Sequence, residues 1–245
     1  MKKLIIANWK MQLSLKESLE LAKQSVKKIK GKNIIVLCPD FLALPYVGPI
    51  LKGTNLNLGA QDSAIVGRGA YTGEVSPLDL KALGVKYVIL GHSERREHLH
   101  ESSLIINAKI KVALTGGLIP ILCVGEKLEV KKNGETEEYL SREIAHSLQG
   151  VKIKSASDLV IAYEPIWAIS TNKNARPMSA LDADAIHKFI KARAARILKK
   201  PVAVLYGGSV NAANAGEFLS QKNVAGLLVG GASLKIKDFS HICSL

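Results

Sequence analysis

An acidic residue follows one of the most apolar segments of the chain. Glu164 comes directly after Leu159–Tyr163, which predicts a buried strand, and Pro165 and Trp167 follow it. A carboxylate held at the end of a strand can take a proton from a carbon beside a carbonyl group and can serve two adjacent carbons in turn. Taken alone, a glutamate at such a place is more often part of a salt bridge or a helix cap, so a role as base depends on other groups.

A histidine and a lysine follow two other predicted strands. His92 comes after Tyr87–Leu90, and a helix that begins just after it would disfavour the charged imidazolium. A neutral imidazole can then donate to a substrate oxygen and polarise a carbonyl. Lys10, with Asn8 beside it, ends the first predicted strand, where a fixed cation would bind phosphate and stabilise an enediolate. The alternatives are a rim histidine satisfied by its neighbours and one more surface lysine.

Two glycine segments follow the last two predicted strands. Gly207, Gly208 and Ser209 follow the seventh, and Gly230 and Gly231 follow the eighth. Backbone N–H groups at such turns can bind a phosphate without a metal, although tight turns also use glycine. The chain shows no carboxylate cluster with spacing for Mg²⁺, so we expect no metal and no cofactor.

Eight short apolar segments predict strands that are buried on both faces. They are Leu4–Trp9, Asn33–Cys38, Leu56–Ala60, Tyr87–Leu90, Ile119–Val124, Leu159–Tyr163, Val202–Tyr206 and Gly226–Val229. Helical periodicity separates them, as in Ser14–Ile29, Glu135–Leu148 and Ser179–Leu198, and Ser14 with Glu17 predicts a capping box. Eight strand–helix units in 245 residues predict a single (β/α)8 barrel domain spanning residues 1–245, with a doubly wound open sheet as the alternative. In such a barrel the chemistry lies at the C-terminal ends of the strands.

The composition excludes several classes of protein. The net charge is +13, but the lysines are not interleaved with aromatic residues, so we expect a solvated basic surface and no nucleic-acid partner. No apolar segment reaches the roughly 18 residues of a membrane span, and we expect no membrane partner. Cys38, Cys123 and Cys243 fit no zinc spacing. The N-terminal segment lacks the features of a signal peptide, which predicts a cytoplasmic protein.

Six short segments together resemble the signatures of the triosephosphate isomerase family. They are ANWKMQ, ILGHSERRE, LCVGE, AYEPIWAI, YGGSV and VGGASL, in that family's order and over essentially the whole chain. The resemblance implies a (β/α)8 barrel that interconverts D-glyceraldehyde 3-phosphate and dihydroxyacetone phosphate in glycolysis and gluconeogenesis. It implies that Glu164 is the base and His92 the electrophile, with Lys10 and Asn8 binding the substrate.

The resemblance also implies supporting residues and a lid. Glu94 would hold Lys10, Glu126 would anchor the lid or a neighbouring loop, and Cys123 is a buried thiol near the site, with a catalytic thiolate as the alternative. The lid would comprise the hinge Pro165, Ile166 and Trp167, the tip Ala168, Ile169, Ser170, Thr171 and Asn172, and the far hinge Lys173, Asn174 and Ala175. Closure would exclude water from Glu164.

Three lid residues depart from the family pattern. The family usually has glycine at Ser170 and Asn172 and threonine at Asn174. Asparagine tolerates left-handed backbone, so Asn172 is a mild change. The N–H of Ser170 is expected to reach the substrate phosphate, and serine would cost on the order of 1 kcal/mol if the closed lid needs a positive φ there.

The segment Gln61–Val75 is long for a connection between a strand and a helix, and long loops usually serve a function. The resemblance implies that it is the interlocking loop of a homodimer, carried by Gln61, Thr72 and Glu74, with Thr72 reaching the neighbour's active site. A disordered surface loop is the alternative.

Other functions remain open on sequence alone. A sibling isomerase for a four-carbon sugar phosphate would share the same catalytic groups. A catalytically silent phosphate-binding barrel would not need Asn8, Lys10, His92 and Glu164 together. A nucleic-acid or surface-binding protein would suit the charge, but no motif supports it.

Overall fold

The computed structural model describes residues 2–168 and 178–245 of the chain. Within these residues the strands are β1 Leu4–Asn8, β2 Ile34–Cys38, β3 Leu56–Ala60, β4 Val85–Leu90, β5 Ile119–Val124, β6 Val160–Tyr163, β7 Ala203–Tyr206 and β8 Gly226–Val229. The helices are α1 Leu15–Lys28, α2 Leu44–Leu51, α3 Pro77–Ala82, α4 Ser93–His98, α5 Ser103–Thr115, α6 Leu128–Lys132, α7 Thr136–Leu148, α8 Ala180–Leu198, α9 Ala215–Ser220 and α10 Ile236–Ser244. Short 3₁₀ helices, Ile166–Ala168 and Gly231–Leu234, follow β6 and β8.

The strands form a closed parallel barrel in chain order, with β8 paired to β1. Leu4 lies in register with Ile34 of β2 on one side and with Gly226 of β8 on the other. Parallel neighbours require crossover connections, and helices supply them between successive strands. The predicted (β/α)8 barrel is therefore confirmed, and the open sheet is not.

Side chains along each strand point alternately into the barrel and out toward the helices. In β1, Leu4 and Ile6 belong to the apolar cluster inside the barrel, whereas Ile5 and Ala7 belong to the larger cluster between strands and helices. Asn8 continues the inward series at the C-terminal end of the strand. A polar side chain is thus brought to the mouth of the barrel by the same period that builds its core.

Five predicted strands differ from the structure at one boundary: β2, β6 and β7 begin one residue later than predicted, β1 ends one residue earlier, and β4 begins two residues earlier. Trp9 lies beyond β1 because the next residue, Lys10, has a φ of 52°, which breaks the extended backbone. Strand β4 begins at Val85, two residues before the predicted start at Tyr87. The exposed Lys86 interrupts the apolar pattern there and conceals the true beginning of the strand.

The predicted helices and cap are present. The side chain of Ser14 accepts a hydrogen bond from Glu17 N–H, and the Glu17 carboxylate accepts from Ser14 N–H at 2.8 Å, so the capping box is confirmed. Helices α7 and α8 match their predicted segments to within one residue at each end. Among the residues that the structure describes, no helix is long and apolar enough to cross a membrane.

Candidate active site

A narrow cavity opens at the C-terminal ends of the strands. It is lined by Asn8, Lys10, His92, Glu164, Gly207, Gly208, Leu228 and Gly230. The four residues predicted to be catalytic therefore share one cavity, although they come from segments far apart in the chain. Barrel closure brings them together, because the C-terminal ends of all eight strands meet at one rim.

Glu164 faces this cavity because it continues the inward series of β6. Val160 and Ala162 point into the barrel, and Glu164 is the next residue on that side, with its side chain only 3% exposed. Two glycines make room for it. A Cβ atom at Gly125 would lie 1.8 Å from the Glu164 carbonyl oxygen, and one at Gly207 would lie 2.8 Å from Glu164 Cγ.

His92 is the residue that caps the N-terminus of α4. Its Nδ1 accepts a hydrogen bond from Glu94 N–H at 3.3 Å. An Nδ1 that accepts this N–H leaves the ring proton on Nε2, which faces Glu164, and a carboxylate oxygen of Glu94 lies 3.6 Å from Nδ1.

The carboxylate of Glu164 lies between two groups of this segment. Its Oε1 is 3.3 Å from His92 Nε2, and its Oε2 accepts from Ser93 N–H at 3.4 Å. Both contacts lie at the long end of the hydrogen-bond range. The carboxylate is therefore held in place by weak interactions that a substrate can replace.

Lys10 is held by its neighbours on the rim. Its Nζ forms a 2.6 Å ion pair with Glu94 Oε1, as predicted for Glu94, and its N–H donates to Asn8 Oδ1 at 3.1 Å. Gln61 donates from Nε2 to Lys10 O at 2.8 Å. These contacts support the left-handed backbone of Lys10, which is uncommon outside glycine, asparagine and aspartate.

Cys123 lies inside the barrel near Glu164 and is 1% exposed. Burial, followed by the negative charge of Glu164, raises the pKa of its thiol well above the usual value. The thiol is therefore protonated at neutral pH, which argues against the alternative of a catalytic thiolate. Its place beside the carboxylate agrees with the expectation of a buried thiol near the site.

Glu126 is fully buried and contacts the start of the predicted lid. Its Oε1 accepts from Trp167 Nε1 at 2.8 Å, and both its carboxylate oxygens accept from the Tyr163 hydroxyl at 3.1 Å. Its carbonyl oxygen accepts from Ile166 N–H at 3.1 Å. Burial raises the pKa of Glu126. One glutamate thus links the 3₁₀ helix Ile166–Ala168 to the end of β6.

Two of the predicted phosphate-binding amides are already engaged. Gly207 N–H donates to Tyr163 O at 2.8 Å, and Ser209 N–H donates to Ala168 O at 2.9 Å. The second bond joins the segment after β7 to the last described residue of the predicted lid. Gly208 lies between them and lines the cavity.

The segment after β8 places a backbone turn beside Lys10. Gly230 lies beside Lys10, since a Cβ atom there would be 3.7 Å from Lys10 Cε. Gly231 is exposed and begins a 3₁₀ helix, whose first N–H groups have no partner within the helix. Gly230 and Lys10 therefore line the same cavity, and the 3₁₀ helix begins one residue beyond it.

Some predicted residues lie away from this cavity or outside the described residues. Thr72 and Glu74 are exposed at the tip of the segment 61–75 and do not line the cavity, whereas Gln61 reaches Lys10. The predicted lid residues Ile169, Ser170, Thr171, Asn172, Lys173, Asn174 and Ala175 lie outside the described residues.

Sequence reasoning missed the groups that support Glu164 from behind. The guanidinium of Arg96 donates to Gly91 O and Cys123 O at 2.8 and 3.0 Å, and it pairs with Glu143 at 3.2 Å. Glu143 also accepts from Gly125 N–H at 3.0 Å. Arg96 stands within the quoted segment ILGHSERRE, but no signal in the sequence marks Glu143, a helix residue that is identified only by its contacts.

The fold and this cavity define a (β/α)8-barrel enzyme with a carboxylate and an imidazole facing each other beside a fixed cation. The family model described as triosephosphate isomerase matches residues 3–245. The chain belongs to the triosephosphate isomerase family.

Individual relatives agree with this assignment. Triosephosphate isomerase of Clostridium tetani is 44% identical over 243 residues, covering 98% of this chain and 95% of the relative. That of Dictyoglomus thermophilum is 44% identical over 244 residues and covers 98% of both chains. The crystal structure of triosephosphate isomerase from Bartonella henselae superposes with a TM-score of 0.89 at 36% identity, covering 99% of this chain and 98% of that one. The chain is accordingly an isomerase of triose phosphates, and the four-carbon alternative is not favoured.

Proposed function

We propose that this chain interconverts dihydroxyacetone phosphate and D-glyceraldehyde 3-phosphate, with Glu164 moving the proton between the two carbons and His92 polarising the carbonyl. The observation that carries this assignment of roles is the 3.3 Å approach of Glu164 Oε1 to His92 Nε2 in a cavity that also contains Lys10. Carbon acids need a base on one side and a hydrogen-bond donor at the oxygen on the other.

The reaction follows from these groups. Glu164 removes a proton from C1 of dihydroxyacetone phosphate, the C–H electron pair becomes the C1–C2 double bond, and the carbonyl oxygen gains the negative charge. His92 Nε2–H donates to that oxygen, and the ammonium of Lys10 stabilises the enediolate. Glu164 then returns the proton to C2, which yields the aldehyde once a proton has moved from O1 to O2 through His92.

In this proposal the substrate phosphate occupies the end of the cavity lined by Gly208 and Gly230, next to the 3₁₀ helix that begins at Gly231. The start of the 3₁₀ helix Gly231–Leu234 offers N–H groups, and Lys10 supplies a positive charge nearby. The N–H of Ser209 already donates to Ala168 O, so Ser209 supports the phosphate site by joining the segment after β7 to the start of the lid. Ser170 adds an N–H from the lid in this proposal.

The lid closes through its first hinge in this proposal. Pro165 and the 3₁₀ helix Ile166–Ala168 follow Glu164 directly, so closure and placement of the base are coupled through the chain. The hydrogen bonds from Trp167 and Tyr163 to Glu126 give the hinge a fixed anchor. A closed lid excludes water and protects the enediolate from losing phosphate.

We also propose that the chain forms a homodimer. In the same proposal residues 1–245 form one domain and the protein is cytoplasmic. Large apolar side chains are exposed beside the segments after β1 and β2: Met11 is 92% exposed, Leu42 80% and Tyr46 55%. Burying such a surface against a second copy favours association. The segment Gln61–Val75 would then insert its tip, with Thr72, beside Lys10 of the neighbour. Full activity in a species that sizes as a monomer would contradict this part.

The isomerisation rate of purified protein tests the assignment. Glyceraldehyde 3-phosphate is compared with a tetrose phosphate, in the native chain and in Glu164→Gln. We expect fast turnover of the triose alone, and a loss of kcat of about 10³-fold in Glu164→Gln with KM nearly unchanged. Retention of most turnover in Glu164→Gln would show that another group is the base.

A further inference from the structure

Six lysines lie on adjacent connections at the end of the barrel opposite the active site. The connections that enter β7, β8, β1 and β2 are neighbours around the barrel and carry Lys199, Lys200, Lys222, Lys2, Lys30 and Lys32. We call these six lysines the basic patch. All are exposed except the half-buried Lys200, and none of these four connections contains an Asp or a Glu among its described residues.

Helix ends do not neutralise this charge. Lysines and arginines at helix C-termini usually balance the helix dipole, which supplies about half a negative charge per helix. Here α1 and α8 already have Lys27, Lys28 and Arg196 in their last turns. The lysines of the basic patch come in addition to them. The pKa of the neighbouring Lys3 is lowered, first by burial and then by the positive charge of Lys191, and Asp184 accepts hydrogen bonds from Asn223 on the connection that enters β8.

The basic patch combines lysine with aliphatic surface. A cavity of about 520 Å³ opens within it, lined by Lys2, Gly31, Lys32, Asn33, Ser244 and Leu245. Leu245 is 50% exposed there, and Ile34, at the start of β2, is 37% exposed beside it. The exposed tyrosines of the described chain, Tyr46 and Tyr71, lie away from the patch.

We propose that the basic patch is a docking surface for a lipid bilayer that contains acidic phospholipids. Its lysines extend in two dimensions over four adjacent connections, so a planar array of phosphates can meet all of them, whereas a nucleic-acid duplex is a cylinder and would meet a stripe. Lysine is a point charge suited to mobile headgroups, while recognition of fixed phosphates favours the arginine fork. Ile34 and Leu245 add shallow aliphatic contact, and the cavity admits a headgroup.

Docking by this surface leaves the enzyme competent. The active-site cavity lies at the C-terminal ends of the strands, and the basic patch lies at their N-terminal ends, so the cavity faces away from the bilayer. The segment Gln61–Val75 is also at the active-site end. The expectation of no membrane partner rested on the absence of a spanning segment, which adsorption to a surface does not need.

Sedimentation with vesicles tests the proposal. The protein is mixed with phosphatidylcholine vesicles with and without phosphatidylserine, at low and high salt. We expect binding that requires phosphatidylserine and is lost at high salt, with isomerase turnover retained by the bound protein. Each lysine near an anionic surface tightens binding about five-fold, so Lys30→Glu/Lys32→Glu/Lys222→Glu should weaken it by about 100-fold or more.

A matched variant distinguishes an effect of the basic patch from an effect of the net charge of the protein. Lys16→Glu/Lys23→Glu/Lys188→Glu makes the same change in charge on exposed helix positions outside the patch, and it should weaken binding far less. The neutral variant Lys30→Gln/Lys32→Gln/Lys222→Gln covers the case that charge reversal disturbs folding, which turnover and thermal melting report. The proposal would be overturned by any of three results: equal losses of binding in the two charge-reversal variants, no binding to vesicles with phosphatidylserine, or tighter binding to a DNA duplex than to vesicles.

Discussion

Glu164 Oε1 lies 3.3 Å from His92 Nε2, although the two residues follow β6 and β4 and are separated in the barrel by β5. The carboxylate crosses the barrel mouth above Cys123, whose thiol is buried and protonated. In the proposed reaction the substrate replaces this contact, and Glu164 then handles the carbon-bound protons while His92 handles the oxygen-bound protons.

The first prediction concerns the proton on His92. Because Nδ1 accepts from Glu94 N–H, the imidazole should be neutral at pH 7 with its proton on Nε2. Nitrogen NMR of ¹⁵N-histidine-labelled protein, assigned with His92→Gln, distinguishes this tautomer from the other and from the cation. His92→Gln should lower kcat by about 10²-fold or more, since it loses the aligned donor. An imidazolium signal from His92 would contradict the proposed role.

The second prediction concerns Lys10. Lys10→Met keeps the length of the side chain but removes the charge that pairs with Glu94 at 2.6 Å and borders the phosphate end of the cavity. We expect kcat/KM to fall by about 10²-fold or more, with KM raised as well as kcat lowered, because both phosphate and enediolate lose a cation. Lys16→Met, on exposed α1, serves as the control and should leave both constants unchanged. An effect on kcat alone would show that Lys10 does not bind the substrate phosphate.

The elements and the inward-facing site residues could be predicted from the sequence. Continuous apolar segments at regular spacing indicate buried parallel strands, and the period of two then places Asn8 and Glu164 inside the barrel mouth. The backbone of Lys10 could not be predicted in this way. Its positive φ depends on Gln61 and Glu94, which are distant in the chain and meet it only after the barrel closes.

Local sequence patterns also do not predict the residues that hold Glu164 in place. Gly125 looks like a turn glycine in the sequence, but in the structure its missing Cβ makes space for the Glu164 carbonyl, and its N–H bonds to Glu143. Close approach between segments leaves no periodic signal. For the same reason no local pattern marks Ser93 N–H, which donates to one carboxylate oxygen of Glu164.

The third prediction tests that close approach. In Gly125→Ala the new Cβ would lie 1.8 Å from Glu164 O, which is backbone and cannot move without displacing the base. We expect a loss of kcat of about 10²-fold, since catalysis is sensitive to shifts of about 1 Å, together with a lower melting temperature. Gly216→Ala is the matched control, because the nearest atom to its Cβ would be 4.0 Å away. Near-native kcat in Gly125→Ala would mean that the backbone relaxes without moving Glu164.

The fourth prediction concerns acid stability. Burial lowers the pKa of His187 to about 4 from 6.5, while its Nδ1 stays 2.6 Å from Ala183 O and its ring contacts Tyr163. Between these pH values the unfolded chain binds a proton that the folded chain does not, so the free energy of unfolding falls as pH decreases from 6.5 to 4. The histidine accounts for about 3 kcal/mol of that loss.

His187→Phe measures this contribution, because phenylalanine keeps an aromatic ring and does not titrate. Urea unfolding from pH 7 to pH 4 should show the native chain losing about 3 kcal/mol more than the variant. The variant should be the less stable of the two at pH 7, where it lacks the contact with Ala183. If the free energy of unfolding falls equally with pH in both proteins, the pKa of His187 in the folded state is not lowered, which would contradict the prediction.

The fifth prediction concerns the lid, where Ser170 replaces the glycine usual in the family. If the closed lid requires a positive φ at this position, serine costs on the order of 1 kcal/mol and Ser170→Gly removes the cost. We then expect kcat/KM to rise about five-fold, through a lower KM, a higher kcat or both. Asn172→Gly is the matched comparison and should change little, because asparagine already tolerates left-handed backbone. Unchanged KM and kcat in Ser170→Gly would mean that the lid closes without strain at that residue.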